Sequence, residues 1–196
     1  TGRDTCEVIF DGVRVGPQAV LGTVGSGFRQ VLATLNGERL NAAAVAIGIA
    51  RGALSCAVGY ASERTAFGRS IGAFQALQHE LVDGAIRLES ARGLLDRAAT
   101  AAAREAGFPP SPGDPADGGS AAVLSAMAKV AAADAATAVT DSGMRVMAGA
   151  GLSCEFPMQR YFRDARLYTF APLTNEMLRN FVGERLLGLP KERAWT

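Results

Sequence analysis

An antiparallel bundle of long α-helices is the fold this mainly α sequence predicts, and three observations predict it. From Gly27 onward the apolar residues recur with a helical period: Phe28, Val31, Leu32 and Leu35 stand at i, i+3, i+4 and i+7. Small residues dominate two long stretches, residues 42–53 and an alanine-rich run from about Ala121, which suits close approach between helices. The strong breakers are clustered rather than scattered, so the helical stretches are long and most connections between them are short.

Taken in order, the elements divide the chain in two. Residues 6–10 (Cys-Glu-Val-Ile-Phe) are a β-type run, Asp11-Gly12 is a turn signal, and Val13-Arg14-Val15 alternates before Gly16-Pro17. An isolated hairpin is marginal in water. Residues 1–26 are therefore expected to be a short β remnant, the end of a β-domain plus its connection, leaving 27–196 as the helical domain. A first long helix carries the small residues of 42–53 and runs to about Glu63-Arg64. A second begins near Phe74, with Leu77, Leu81, Ala85, Leu88 and Leu95 as its apolar stripe. Residues 107–120, crowded with proline and glycine, cannot be regular helix and are expected to form a mobile surface loop. A third helix is expected from about Ala121 to Met147, ended by Gly149-Ala150-Gly151. Pro157 then opens a short helix through Arg166, and a last one runs from about Thr174 to Leu187, stopped by Gly188 and Pro190.

Composition narrows the function. The chain has 196 residues, 48% of them hydrophobic, enough for a sizeable core. Its net charge of +1 argues against a nucleic-acid binder held by bulk charge. No apolar run approaches the roughly 18–20 residues that a membrane span needs. Three widely spaced cysteines and one histidine, His79, argue against a Cys/His zinc site. Free thiols fit a reducing, cytoplasmic setting, and no targeting segment is recognised. The opening Thr1-Gly2-Arg3-Asp4, without an initiating methionine, leads us to expect a longer protein. Gly22, Gly25 and Gly27 lack both the spacing and the βαβ setting of a phosphate cradle, and no GxSxG, HExxH or paired CxxC occurs. His79 reads as a surface or cap-contacting residue rather than a base.

Four blocks of residues carry more. Gly37-Glu38-Arg39-Leu40 lies early in the first long helix. Glu63-Arg64-Thr65-Ala66-Phe67-Gly68-Arg69 is followed by Ile71-Gly72-Ala73-Phe74-Gln75. Met147-Ala148-Gly149-Ala150-Gly151 precedes Glu155-Phe156-Pro157. Tyr161-Phe162-Arg163-Asp164-Ala165-Arg166 precedes Thr174-Asn175-Glu176. In order and spacing these blocks closely resemble the acyl-CoA dehydrogenase family, over its C-terminal helical domain and the tail of its middle β-domain.

The resemblance implies an FAD enzyme, usually a tetramer, that oxidises the Cα–Cβ bond of an acyl-CoA thioester to a 2-enoyl thioester. A carboxylate takes the α-proton, and electrons pass on to an electron-transfer flavoprotein. It also assigns roles. Arg64 matches an arginine that contacts FAD phosphates, work that suits a planar, always charged guanidinium; by position alone it is a helix-end cation. Phe67 and Gln75 match cofactor-lining positions, where unaided reading gives a core aromatic and a helix-start polar residue. Gly149 matches a close approach to the flavin nucleotide, though a turn alone explains a glycine there. Thr174, Asn175 and Glu176 match the segment near the cofactor at the start of the last helix, where Thr174 also reads as an N-cap. Arg39 matches a buried arginine beside the acyl-CoA site; its plain alternative is a helix-surface charge.

Two departures shape the mechanism. Many relatives place the catalytic glutamate just before the last helix, where this chain has Ala171-Pro172-Leu173-Thr174, and proline cannot take a proton. In another branch of the family the base precedes the buried arginine, and that position here is Glu38. The other departure is Arg145, where relatives have a glutamine touching the FAD adenosine; an arginine there is expected to grip phosphate. The alternatives are a non-catalytic or partner-dependent assembly subunit in a homo- or hetero-oligomer, and another flavin oxidation on the same scaffold.

Overall fold

The computed structural model describes residues 6–108 and 120–191. Their α-helices are α1 (Gly27–Glu63), α2 (Gln75–Glu105), α3 (Ala121–Met147), α4 (Gly149–Leu152), α5 (Met158–Phe170) and α6 (Asn175–Leu186), with short 3-10 turns at Pro17–Ala19 and Ile71–Ala73. Short strands β1 (Thr65–Ala66) and β2 (Arg69–Ser70) form an antiparallel hairpin between α1 and α2.

Helix α3 is the centre of the bundle and packs against α1, α2, α5 and α6. Alanine makes this possible. On α1, Ala43, Ala46, Ala50, Ala53, Ala57 and Ala61 recur every three or four residues and are all buried. They meet a matching set on α3 that includes Ala128, Ala132, Ala133 and Ala136. With methyl side chains on both helices the backbones come close, so close packing replaces bulk as the source of cohesion. Where Met158 of α5 enters the core, Gly143 leaves room: a Cβ there would lie 2.6 Å from the Met158 Cε.

The helical expectations hold, with shifts at the ends. Helix α3 has the bounds read from the sequence. Helix α5 continues past Arg166 because Tyr168 extends the buried stripe begun by Met158 and Ala165. Helix α6 starts one residue late because Thr174 is its N-cap, its hydroxyl accepting from the Met177 N–H at 3.2 Å. Of the expected 107–120 loop, Gly107 and Phe108 follow α2, Gly107 with φ +87°, and residues 109–119 lie outside the described residues.

Two expectations are corrected. Residues 6–16 form no strand: they lack regular structure, and Val8, Ile9, Phe10, Val13 and Val15 are exposed. Alternating residues make a strand only when another strand accepts their hydrogen bonds, and no described residue does so. Nor is the chain without an apolar stretch of membrane-spanning length. By length and hydropathy α1 and α3 both qualify, although most of the α3 stretch is buried inside the bundle.

Candidate active site

Neighbouring residues on a helix point about 100° apart, and Glu38 and Arg39 of α1 show the consequence. Arg39 turns into the bundle and is 7% exposed, while Glu38 is exposed. The Arg39 guanidinium donates to Asn36 Oδ1 at 3.2 Å and lies 5.3 Å from the ring centre of Phe181 on α6. Its Nε is buried without a partner, and burial lowers its pKa from the ordinary arginine value. Arg39 is therefore not an ordinary helix-surface charge. It is an incompletely satisfied cation, and it faces no carboxylate among the described residues.

At the other end of α1 the chain reverses through the β1–β2 hairpin. Phe67 and Gly68 both have positive φ, +53° and +78°, as a two-residue turn between strands requires. Ser70 fixes the hairpin to α1 by donating to the Ala61 carbonyl at 2.7 Å. This geometry throws Phe67 outward. It is 95% exposed, which corrects the core reading of that aromatic; its ring meets only the edge of Phe74, 6.2 Å away among the described residues. Arg64 caps the C-terminal end of α1 with its side chain exposed, and it pairs with no described carboxylate. It lines a pocket of about 480 Å3 with Tyr60, Ala150 and Phe156. Gln75 is the exposed first residue of α2.

Arg145 and Gly149 sit near the end of α3. Arg145 is held by two carboxylates, Glu80 of α2 at 3.2 Å and Asp141 at 3.1 Å, and Ser142 donates to Glu80 at 2.7 Å. Its charge is already answered within this chain. Gly149 opens α4 and is exposed, with nothing within 4 Å of where a Cβ would stand; the left-handed residue of the turn is Ala148, φ +49°.

A third group gathers where α6 begins. Asp134, Asp141, Arg166, Asn175 and Glu176 line a polar cleft of about 720 Å3. Glu176 is exposed and 3.8 Å from Arg179. Behind it Asn175, which the resemblance placed near the cofactor, joins a network whose buried centre, Lys129, is absent from the sequence-derived site. Lys129 of α3, 1% exposed, donates to the Leu173 carbonyl at 2.7 Å and to Asn175 Oδ1 at 2.8 Å. Asn175 Nδ2 donates to Asp134 at 3.0 Å, and Arg179 to the same carboxylate at 2.6 Å. Burial pushes the Lys129 pKa down to about 8; Asp134 and Glu176 oppose that shift, and Arg179 adds to it. The available signal was compositional: Lys129 is one of two lysines in the chain and interrupts its most alanine-rich helix.

The proposed site residues thus fall in separate places. Arg64 and the neighbour of Gly149 share one pocket, Thr174 and Glu176 begin α6 beside another, and Arg39 lies under α6. Among the described residues no group of His, Cys, Asp and Glu is arranged to hold a metal.

A helical bundle with an exposed hairpin after its first long helix, and these four blocks at their observed places, defines an acyl-CoA dehydrogenase-type C-terminal domain. The acyl-CoA dehydrogenase C-terminal domain family profile matches residues 25–187, and the chain belongs to that family. The bovine mitochondrial short-chain specific acyl-CoA dehydrogenase is 39% identical over 183 residues, 93% of this chain and 41% of the relative. A probable acyl-CoA dehydrogenase of Mycobacterium tuberculosis, FadE25, is 37% identical over 95% of this chain and 45% of its own length. Butyryl-CoA dehydrogenase from Megasphaera elsdenii superposes with a TM-score of 0.79 at 35% identity, covering 91% of this chain and 43% of that one. The chain thus spans less than half the length of the relatives it matches.

Proposed function

We propose that this chain is the C-terminal helical part of an FAD-dependent acyl-CoA dehydrogenase that oxidises the Cα–Cβ bond of an acyl-CoA to a 2-enoyl-CoA. The observation that carries this reading is the family match across residues 25–187. Relatives named for short-chain and butyryl-CoA substrates support the substrate class.

The exposed surface fits a flavin nucleotide in part. Arg64 offers a phosphate an exposed guanidinium that pairs with no carboxylate among the described residues, and Phe67 offers an exposed ring to a flat partner arriving from outside the bundle. Gln75 and Thr174 add hydrogen-bonding groups at helix starts, and Gly149 leaves open space. Two assignments fit less well. Glu176 would repel a phosphate, and Arg145 is already neutralised by Glu80 and Asp141. When bound, FAD supplies the hydride acceptor.

In this reading the chain's own task is to take the α-proton, and Glu38, at the base position of one branch of the family, is the group proposed for it. A carboxylate works as this base when water is excluded around it. Glu38 is exposed on this chain, so the covering surface is the acyl-CoA and the remainder of the enzyme. Buried Arg39, one residue on, matches the arginine beside the acyl-CoA site and is the cation proposed to border the bound substrate. Reduction of the full enzyme is tested by anaerobic mixing of the flavin-loaded protein with butyryl-CoA and longer acyl-CoAs. Bleaching of the flavin band is expected, and a flavin that no acyl-CoA bleaches refutes the dehydrogenase reading.

A second reading, a subunit kept for assembly, is favoured by Pro172 at the alternative base position and by the exposure of Glu38. In either reading we propose an oligomer, a tetramer by the family resemblance. By the family resemblance we also propose an electron-transfer flavoprotein as redox partner. The free cysteines Cys6, Cys56 and Cys154 support a reducing compartment such as the cytoplasm.

A further inference from the structure

We propose that Lys129 is a positioning residue: from the middle of α3 it fixes the connection that leads into α6, and so fixes where Thr174 and the first turn of α6 meet the flavin and substrate. The inference rests on the dehydrogenase reading and extends it to a buried residue outside the proposed cofactor and substrate contacts.

The connection needs such an anchor. Residues 171–174 join α5 to α6 without regular structure; the Thr174 carbonyl accepts the first bond of α6, from the Leu178 N–H at 3.1 Å, while the Leu173 carbonyl accepts from the Lys129 side chain. Two of the ammonium's three donors are used at short distance, one on the Leu173 carbonyl and one on Asn175 Oδ1. These acceptors bracket Thr174, whose own hydroxyl caps α6. The anchor is itself braced. Asn175, 2% exposed, passes its amide to Asp134, which Arg179 holds from the next turn of α6. Thus α3, the connection and α6 are tied at one buried point by directional bonds to charged groups, where an apolar side chain would supply packing alone.

A buried lysine is a costly way to fill space. Isolated ammonium groups lose much of their hydration free energy on burial, and the buried residues nearest it on α3 are all small: Ser125, Ala126, Ala128, Ala132 and Ala133. What the lysine adds to that layer is a fixed height and direction for the Leu173 carbonyl. Misplacement of a reacting group by about 1 Å can lower a rate by about a hundredfold, so the contribution is expected in the saturated rate rather than in binding.

The test uses the flavin-loaded full-length enzyme and two variants, Lys129→Met, which keeps length and removes the donors, and Asn175→Ala, which removes one acceptor and the link to Asp134. Flavin reduction by butyryl-CoA is followed in single turnovers across substrate concentration, alongside bound flavin and the thermal midpoint. For Lys129→Met the saturated rate should fall by about ten- to a hundredfold, with the half-saturating concentration within about threefold of wild type. Asn175→Ala should fall the same way by a smaller factor. If Lys129→Met does not fold, Asn175→Ala alone decides. A folded, flavin-loaded variant that keeps the wild-type saturated rate while losing thermal stability overturns the proposal and leaves Lys129 a structural tie. Wild-type enzyme that no acyl-CoA reduces overturns the underlying dehydrogenase reading instead, and this proposal with it.

Discussion

Glu38, Arg39 and Lys129 show how the same kind of side chain takes different work from its surroundings. Arg39 is buried with one nitrogen unpartnered, so its charge serves stability poorly. Arg39→Met should change the unfolding free energy of the domain by less than about 1 kcal/mol, or raise it. The same change should raise the half-saturating acyl-CoA concentration about tenfold or more; denaturant titration and flavin bleaching read the two effects separately. Lys129 makes a pH prediction whose sign follows from its lowered pKa. Between about pH 8 and the ordinary lysine value of 10.5 the unfolded chain holds a proton that the folded chain has released. Stability from this group therefore rises with pH across that window, by up to ~3 kcal/mol, and below pH 8 the burial penalty is fully present. Urea unfolding at pH 7.5 and pH 10 should show that rise in wild type and lose it in Lys129→Met. Of these residues, Glu38 and Arg39 stood out in the sequence through a family block. The resemblance marked Arg39 as a buried arginine, whereas the burial and partners of Lys129 depend on side chains far away in sequence and were not legible.

At the scale of elements, alanine spacing and breakers made the helices readable, because a period of 3.6 and a cluster of prolines are local signals. The hairpin was not readable. Phe67 is an uncommon occupant of the left-handed region, and strands of two residues are too short to show alternation. The run at residues 6–15 failed the opposite way: it has the local pattern but no pairing strand among the described residues. Two substitutions test what the elements do. Phe67→Ala at the hairpin tip should cost no more than about 0.5 kcal/mol, since the ring is exposed, yet weaken flavin retention in the full enzyme, as gel filtration with flavin absorbance would show. Gly52→Ala has the reverse character. Its Cβ would lie 2.9 Å from the Tyr161 ring, and this overpacking outweighs the gain in helix propensity. Thermal unfolding should show a net loss of about 1 kcal/mol, whereas an unchanged midpoint would show that α5 yields easily.

The whole molecule is a core of alanine-packed helices that carries its proposed functional groups on its outside. Phe67, Arg64 and Glu38 are all exposed, and so are the apolar side chains at residues 8–15 and Phe28. In the proposed enzyme such a surface gains its chemistry when other parts cover it; the chain spans less than half the length of the relatives it matches. The central claim is that covering this surface turns Glu38 into the base. It is tested most directly by Glu38→Gln in the flavin-loaded full-length protein, mixed anaerobically with butyryl-CoA. The account predicts that wild type bleaches within turnovers, while the variant keeps its flavin band and stays oxidised, its reduction slowed by about a thousandfold or more. A Glu38→Gln enzyme reduced at the wild-type rate would contradict it and place the base elsewhere.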